Sequence, residues 1–310
     1  MRARAASRAR KRKAASVKRA AHFKPAALTA KTAALATLAM PMIWPAEDLW
    51  QALSALQPDI TVEVLPEIDS TNTELMRRAR AGQTYPVLLV AESQTAGRGR
   101  LGRPWHGQVG DALTFSLGLQ MAPHDWSGLS LAVGLSLARS LDPDGALGVR
   151  LKWPNDLWVA QPNTPQGWGK LAGILIETAT VAHLDPSVAT SAAARYCVVG
   201  VGINIAPPQA EGLSTAPMGL QTLLPDVTAP QALAKVATSL LSTLLAFEQG
   251  GFAPLQNAFN DRDALHDLPI TLSDGRSGIA RGVDAAGALL VETAQGQEAI
   301  TSSEVSVRPQ

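Results

Sequence analysis

Residues 91–105 read AESQTAGRGRLGRPW, and seven of them, Gly97–Arg103, hold three arginines and three glycines. Glycine lets a backbone adopt positive φ and approach a ligand closely, and arginine presents a planar fork of donors matched to carboxylate and phosphate oxygens. The same composition occurs in solvated basic loops and in RGG-like RNA contacts. Here, however, the run follows the apolar Val87-Leu88-Leu89-Val90 and precedes the strand-like Ala112-Leu113-Thr114-Phe115-Ser116-Leu117. It is therefore a loop held by core at both ends, which is where binding residues concentrate. This reading makes the chain a sheet protein with an anion-wrapping loop.

Toward the N-terminus, Thr61–Ile68 alternates as a strand does and leads into Asp69–Met76. Thr71 and Glu74 have capping-box spacing, which predicts a helix from there to Gly82. A helix start offers unpaired N–H groups, and Ser70, Thr71 and Asn72 add side-chain donors and acceptors at the same place. An ordinary cap would look the same.

Toward the C-terminus, Gly128–Leu141 is apolar on nearly every side and predicts a buried helix. Val149–Glu177 reads strand, turn, strand, loop from Gln161 to Gly169, strand, with Lys152-Trp153-Pro154-Asn155-Asp156 at the turn. A second strand pair is expected around Tyr196–Ile205, ended by Pro207 and Pro208. Leu233, Val236, Leu240, Leu241, Leu244, Leu245 and Phe247 recur with helical period before Gly250 and Gly251, predicting a helix that covers the sheet. After Leu265 the texture changes to short β segments around Ile270, Ile279–Val283 and Ala288–Val291, with turn signals at Asp274-Gly275 and Ala286-Gly287.

A chain of 310 residues, 46% hydrophobic, can bury one large core or two of unequal size. The single cysteine, Cys197, excludes an intramolecular disulfide and suits a packed thiol in a reducing compartment. No stretch reaches the roughly 20 apolar residues that span a bilayer, so a cytoplasmic protein without a membrane partner is expected. No Cys/His cluster has metal-ligand spacing.

The formal charge of +1 hides an asymmetry: residues 1–46 hold 11 of the 27 Lys and Arg and no acidic residue, which leaves the remainder with 16 basic against 26 acidic residues. The loop arginines thus stand out against an acidic body. Residues 1–45 form a basic leader expected to be disordered, and an N-terminus that starts upstream of the natural Met, at Met40 or Met42, accounts for it.

Five stations occur in order: Ser70-Thr71-Asn72, the Gly97–Trp105 loop, Lys152–Asp156, Lys170-Leu171-Ala172-Gly173, and Gly200-Val201-Gly202-Ile203-Asn204. Together, over roughly residues 60–305, they resemble the biotin protein ligases, with their STN turn, GRGRxGRxW loop, KWPND motif, KLAGIL strand and GxGIN strand. The resemblance implies an α+β fold. A mixed β-sheet with helices on one side forms a class II synthetase/biotin-lipoate ligase-like catalytic domain over residues 46–265, and a small SH3-like β-barrel follows over 266–310.

It also implies a two-step reaction. Biotin and MgATP give biotinyl-5′-adenylate, and a lysine of the biotin carboxyl carrier protein of acetyl-CoA carboxylase then takes the biotin. On this likeness Ser70, Thr71, Asn72 and Gln94 hold the biotin rings, Trp105 lines their pocket and Gly173 lets the sheet approach. Arg98, Gly99, Arg100 and Lys170 attend the carboxylate and phosphate. Arg100, Arg103, Lys152, Asn155, Asp156 and Asn204 serve the nucleotide, and Asp156 suits Mg²⁺ because carboxylate oxygen suits that hard cation. Catalysis then falls to Arg98, Arg100, Lys152 and Lys170, which offset the repulsion between two anions.

Two other readings remain. A lipoate-type ligase shares the acyl-adenylate chemistry, although the GRGR loop and Lys170–Gly173 favour biotin. A nucleic-acid binder would use residues 1–24 and the loop, but the acidic body and the lack of a helix-turn-helix pattern oppose it. The stretch between Met40 and the first core strand is too short for a winged-helix repressor domain, so specific DNA binding is not expected; a homodimer is allowed but not specified. Gly200-Val201-Gly202 is not a dinucleotide fingerprint, because that motif needs a helix straight after its glycines and the chain runs into Pro207.

Overall fold

The structure, a computed structural model, describes residues 42–162, 167–180, 194–208, 215–301 and 307–309. The expected basic leader, as far as residue 41, and residues 163–166 of the expected Gln161–Gly169 loop lie outside them. Thr61–Ile68 (β1) pairs in parallel with Val87–Gln94 (β2), which pairs antiparallel with Ala112–Met121 (β3). Val149–Lys152 (β4), Asp156–Ala160 (β5) and Trp168–Ala179 (β6) form the expected strand, turn, strand, loop, strand series. Arg195–Asn204 (β7) then inserts between β3 and β6, giving the order β1-β2-β3-β7-β6-β5-β4, with the short β8 (Ala216–Pro217) beside β6. The strand pair expected around Tyr196–Ile205 is thus one strand. Its Gly200 and Gly202 make no turn; they clear space on one face. On the edge strand β1, Pro66 has no N–H to offer a further strand and Glu63 and Glu67 flank it.

Side chains alternate between the two faces of a sheet. One face of β3, β7 and β6 shows Ser116, Gly200, Gly202, Gly173, Leu175 and Glu177 in register, and the site lies there. The opposite face presents Phe115, Leu117, Val199, Val201 and Ile174, all buried. Leu129–Leu141 (the third helix, α3, after Ala46–Ser54, α1, and Thr71–Arg80, α2) packs on that second face. Gly134 lets it approach, since a Cβ there would lie 3.3 Å from Leu151 and 3.5 Å from Ile174.

Ala229–Gly250 (α4) starts in a Thr228–Gln231 capping box with Pro230 in its first turn, which the sequence reading did not pick out, and it ends at the expected glycines, with Gly251 at φ 62°. It packs chiefly on α3 and touches the sheet mainly at β3. The reason is that α3 is apolar all round, so it buries one face on the strands and offers the other to a helix. The helical layer expected on one side consists of α1, α3 and α4. The exception is α2, which lies on the site face, where Leu75, Met76 and Ala79 pack against Val87, Leu89, Tyr196 and Val198. Its cap is Ser70 rather than Thr71: the Ser70 hydroxyl accepts from the Thr73 amide, and Glu74 instead pairs with Arg77 and Arg78. Ser70 is the residue with extended φ/ψ, as a cap requires.

The expected C-terminal β segments are Pro269–Leu272 (β9), Ser277–Val283 (β10) and Leu289–Thr293 (β11). Gly296–Ile300 (β12) and Val307–Pro309 (β13) complete an antiparallel sheet ordered β12-β11-β10-β9-β13. This sheet is tied to the turn between β4 and β5, where the fully buried Trp153 donates its indole N–H to the Gly287 carbonyl at 3.1 Å.

Candidate functional site

A cavity of about 440 Å³ opens on the α2 face, and every candidate residue named above lines it. Its neutral end is built at the start of α2. Ser70, Thr71 and Asn72 are each 3% exposed. The Thr71 amide donates to Gln94 Oε1 at 2.8 Å, which fixes that amide oxygen, while Gln94 Nε2 lies beside Gly97 of the hairpin. Ser116 lies between Thr71 Oγ1 (2.7 Å) and Asn72 Oδ1 (2.6 Å). Asn72 Nδ2 donates to the Leu175 carbonyl at 3.2 Å and to Glu177 Oε2 at 3.0 Å. Gly200 is required beneath it, because a Cβ there would stand 2.0 Å from Asn72 Oδ1.

The floor is a pair of glycines on adjacent strands, Gly173 and Gly202, with the Trp105 indole lying on them. A Cβ at Gly202 would meet the ring at 2.4 Å and one at Gly173 would meet it at 3.3 Å. In this structure, then, the clearance at Gly173 accommodates Trp105 and the Lys170 amine. Trp105 Nε1 is buried and has no hydrogen-bond partner among the described residues. Lys170 Nζ stands 5.9 Å from the ring centroid, within cation–π range.

The glycine-arginine loop is a small hairpin. The Trp105 amide donates to the Gly97 carbonyl (2.9 Å) and the Gly99 amide to the Arg103 carbonyl (2.7 Å), with Arg98 and Pro104 bridged. Leu101 (φ 56°) and Gly102 (φ 68°) turn the tip in the left-handed region, a conformation costly for a bulky residue. Arg98 leans on Glu177 (Nη2 to Oε2 3.3 Å), Arg100 Nη1 reaches Asn155 Oδ1 at 3.5 Å, and Arg103 is exposed.

The far wall comes from the Lys152–Asp156 turn and β6. Asn155 is locked to β6 by exchange with Ile174, its side-chain amide donating to the Ile174 carbonyl (2.8 Å) while its own carbonyl accepts the Ile174 amide (2.9 Å). Asp156 pairs with Lys170 at 2.7 Å, and Asn204 Nδ2 donates to the Lys170 carbonyl. Lys152 is 7% exposed, with its ammonium 5.5 Å from the Trp158 ring. Burial pushes its pKa down to about 8; Asp156 opposes the shift, while Lys170, Arg100 and Arg103 add to it. Burial also lowers Arg100.

Six cations, Arg98, Arg100, Arg103, Lys152, Lys170 and Arg308, therefore stand at the cavity against two carboxylates, Asp156 and, just outside it, Glu177. The pocket attracts anions although the body of the chain is acidic. Sequence reading missed Ser116, Glu177 and the cavity-lining Arg308 of β13, none of which belongs to a contiguous motif with a recognisable spacing.

Residues 64–189 match the Biotin/lipoate A/B protein ligase family and residues 270–308 the Biotin protein ligase C terminal domain. The bifunctional ligase/repressor BirA of Salmonella typhimurium is 36% identical over 241 residues, 74% of this chain and 69% of that protein. The biotin--[acetyl-CoA-carboxylase] ligase of Paracoccus denitrificans is 31% identical over 258 residues, 78% of this chain and 98% of that protein. Among solved structures, the Aquifex aeolicus biotin protein ligase in complex with biotin and ATP superposes with a TM-score of 0.64 at 27% identity, covering 80% of this chain and 99% of that one.

Proposed function

The chain belongs to the biotin/lipoate A/B protein ligase family, and from that premise we propose how its own residues carry out ATP-dependent biotin ligation. The observation that carries the proposal is the division of one cavity into a neutral, hydrogen-bonding end at Ser70–Asn72 and Gln94 and a cationic end at Arg98, Arg100, Lys152 and Lys170. Biotin is such a molecule, with a neutral ring system at one end and a carboxylate at the other.

In the first step a biotin carboxylate oxygen forms a bond to the α-phosphorus of ATP while the bond to the β-phosphate oxygen breaks and pyrophosphate leaves. Both reactants are anions, so the barrier carries a large repulsive term. Cations already in place around the reacting oxygens offset it without reorganisation, and one preorganised donor of this kind contributes roughly 2.7–4 kcal/mol. We assign Arg98, Arg100, Lys152 and Lys170 to this work, with Arg103, Asn155 and Asn204 on the nucleotide side.

Asp156 fits the Mg²⁺ that accompanies ATP, because magnesium is held through one or two carboxylates and the substrate's own phosphates rather than by an all-protein cage, and no cluster of three metal-ligating side chains occurs among the described residues. In the second step a lysine amine of the acceptor attacks the acyl carbon, forming the amide and releasing AMP. The Gly97–Trp105 hairpin, closing over the mixed anhydride, would keep water from taking the amine's place.

We read residues 46–265 as the catalytic domain and 266–310 as an SH3-like domain that supports it through Trp153 and Arg308. The acceptor would be the biotin carboxyl carrier protein, in a cytoplasmic compartment that suits a free thiol at Cys197. Incubating the purified chain with biotin, MgATP and a carrier domain, with lipoate as competing acid, tests the reading. Biotin on one carrier lysine with release of AMP and pyrophosphate is the expected result; preference for lipoate, or no labelling, overturns it.

A further inference from the structure

Glu177 lies outside the five motif stations, yet its carboxylate meets two of them. Oε2 accepts from Asn72 Nδ2 at 3.0 Å and from Arg98 Nη2 at 3.3 Å, and Oε1 stands 3.4 Å from the same Arg98 nitrogen. Asn72 is nearly completely buried. Both of its amide hydrogens are engaged, by Leu175 and Glu177, and its oxygen accepts from Ser116. With these partners the amide also holds the first turn of α2, and with it the neutral end of the cavity, in place. Arg98 lines the cavity from the hairpin, and Glu177 takes one end of its fork. Asn72 and Arg98 share this acceptor, and no hydrogen bond joins them directly among the described residues.

We propose that Glu177 is a positioning residue, a single carboxylate that couples the neutral ring end of the cavity to the cationic hairpin, so that each is set only when the other is in place. The coupling needs a charge. Glu177→Gln keeps an acceptor oxygen for Asn72 while removing the ion pair with Arg98, so it cuts one arm of the link and leaves the other. Half-exposed ion pairs of this geometry contribute modestly, and the expected coupling is about two- to fivefold in an equilibrium constant. In the binding arm the inference rests on the ligase reading; its ligand-free arm does not.

The test is a double-mutant cycle on the full chain with Arg98→Gln and Glu177→Gln, both in half-exposed surroundings where folding is not at stake. It is read by biotin calorimetry, by steady-state rates of pyrophosphate release and by urea unfolding of the ligand-free protein. Non-additivity of about two- to fivefold in the unfolding equilibrium, together with a raised KM for biotin and an unchanged KM for ATP in Glu177→Gln, is expected. A second cycle pairs Asn72→Ser with Arg98→Gln: the coupling should be present with Glu177 and vanish in the Glu177→Gln background. Additive effects in the ligand-free cycles overturn the proposal whatever the ligand results. If no variant and not the native chain binds biotin, the ligase reading fails instead, and the unfolding cycles still decide the role of Glu177.

Discussion

Gly200→Ala tests how tightly the neutral end of the cavity is specified. The new Cβ would lie 2.0 Å from Asn72 Oδ1 and 2.8 Å from its Cγ, where ordinary contact begins at 3.4 Å. Asn72 must therefore move by more than an ångström, and it has nowhere to go: Ser116, the Leu175 carbonyl and Glu177 hold its amide on three sides. Each of those buried hydrogen bonds is worth about 0.5–1.5 kcal/mol, and forcing a group into filled space costs about 1–3 kcal/mol. Because these losses overlap, the expected destabilisation is about 2–5 kcal/mol.

Gly202→Ala, two residues along the same face, is the control. Its Cβ would strike the Trp105 ring at 2.4 Å, but Trp105 rides on a hairpin whose tip is exposed and can lift. That variant should lose less than about 1 kcal/mol of stability yet bind biotin more weakly. Urea unfolding gives the stabilities and calorimetry the affinities. Gly200→Ala within about 0.5 kcal/mol of the native chain, with biotin binding intact, would refute the reasoning, because the register that places Asn72 over Gly200 would then be wrong.

Lys152 makes stability and rate depend on pH in opposite senses. Its pKa falls from the ordinary 10.5 to about 8 on folding, so between those values the unfolded chain binds the extra proton and stability rises with pH, while below about 8 both states are charged and the burial penalty is constant. Lys152→Met should be more stable than the native chain at pH 7, and its advantage in urea unfolding should shrink from pH 8 to 10.5; Cys197, whose thiol burial pushes up from 9.0 to about 12, lowers both chains alike over that range, and an advantage that does not change with pH would exclude Lys152 as its source. Pyrophosphate release should fall in the native chain above about pH 8 as this cation is lost, and that limb should move to higher pH in Lys152→Arg. Arg100→Gly, which removes a partly buried cation from the hairpin, should let the adenylate escape and label lysines of an added bystander protein; labelling confined to the carrier would show that Arg100 is not the clamp. Trp153→Phe strands the Gly287 carbonyl in a buried place and should cost about 1–3 kcal/mol, with faster proteolysis after residue 265 than in the native chain; equal proteolysis would mean that the C-terminal sheet is held elsewhere.

The contacts that sequence made legible are those that lie along the chain. The Gly97–Trp105 run, the Lys152–Asp156 turn and the Ser70–Asn72 cap each announce themselves by composition within a few residues, and all three line the cavity. What could not be read is register. Ser116, Gly200 and Leu175 meet because β3, β7 and β6 pair so that these residues lie opposite one another, and nothing local to any of them encodes it. The capping motif was placed one residue late because Ser70 and Thr71 are both competent caps, and only the backbone angles choose between them. For α4, periodicity revealed an apolar stripe but not what it meets, which proves to be mainly α3. The glycines of β7 look like turn formers until the side chains above them, Asn72 and Trp105, are known.

The outer margin of the sheet at β1 has a consequence for the protein in a crowded solution. An unpaired strand invites identical chains to dock and grow into fibrils, and natural margins are blunted by proline and charge. Pro66 interrupts the row of donors, and the exposed Glu67 repels a like copy laid alongside, whereas Glu63 is held by Arg78 at 2.9 Å. Concentrated preparations should therefore resist stacking through this margin, and a chain that exposes its most adhesive binding groups inside a cavity can remain dispersed while waiting for its substrate.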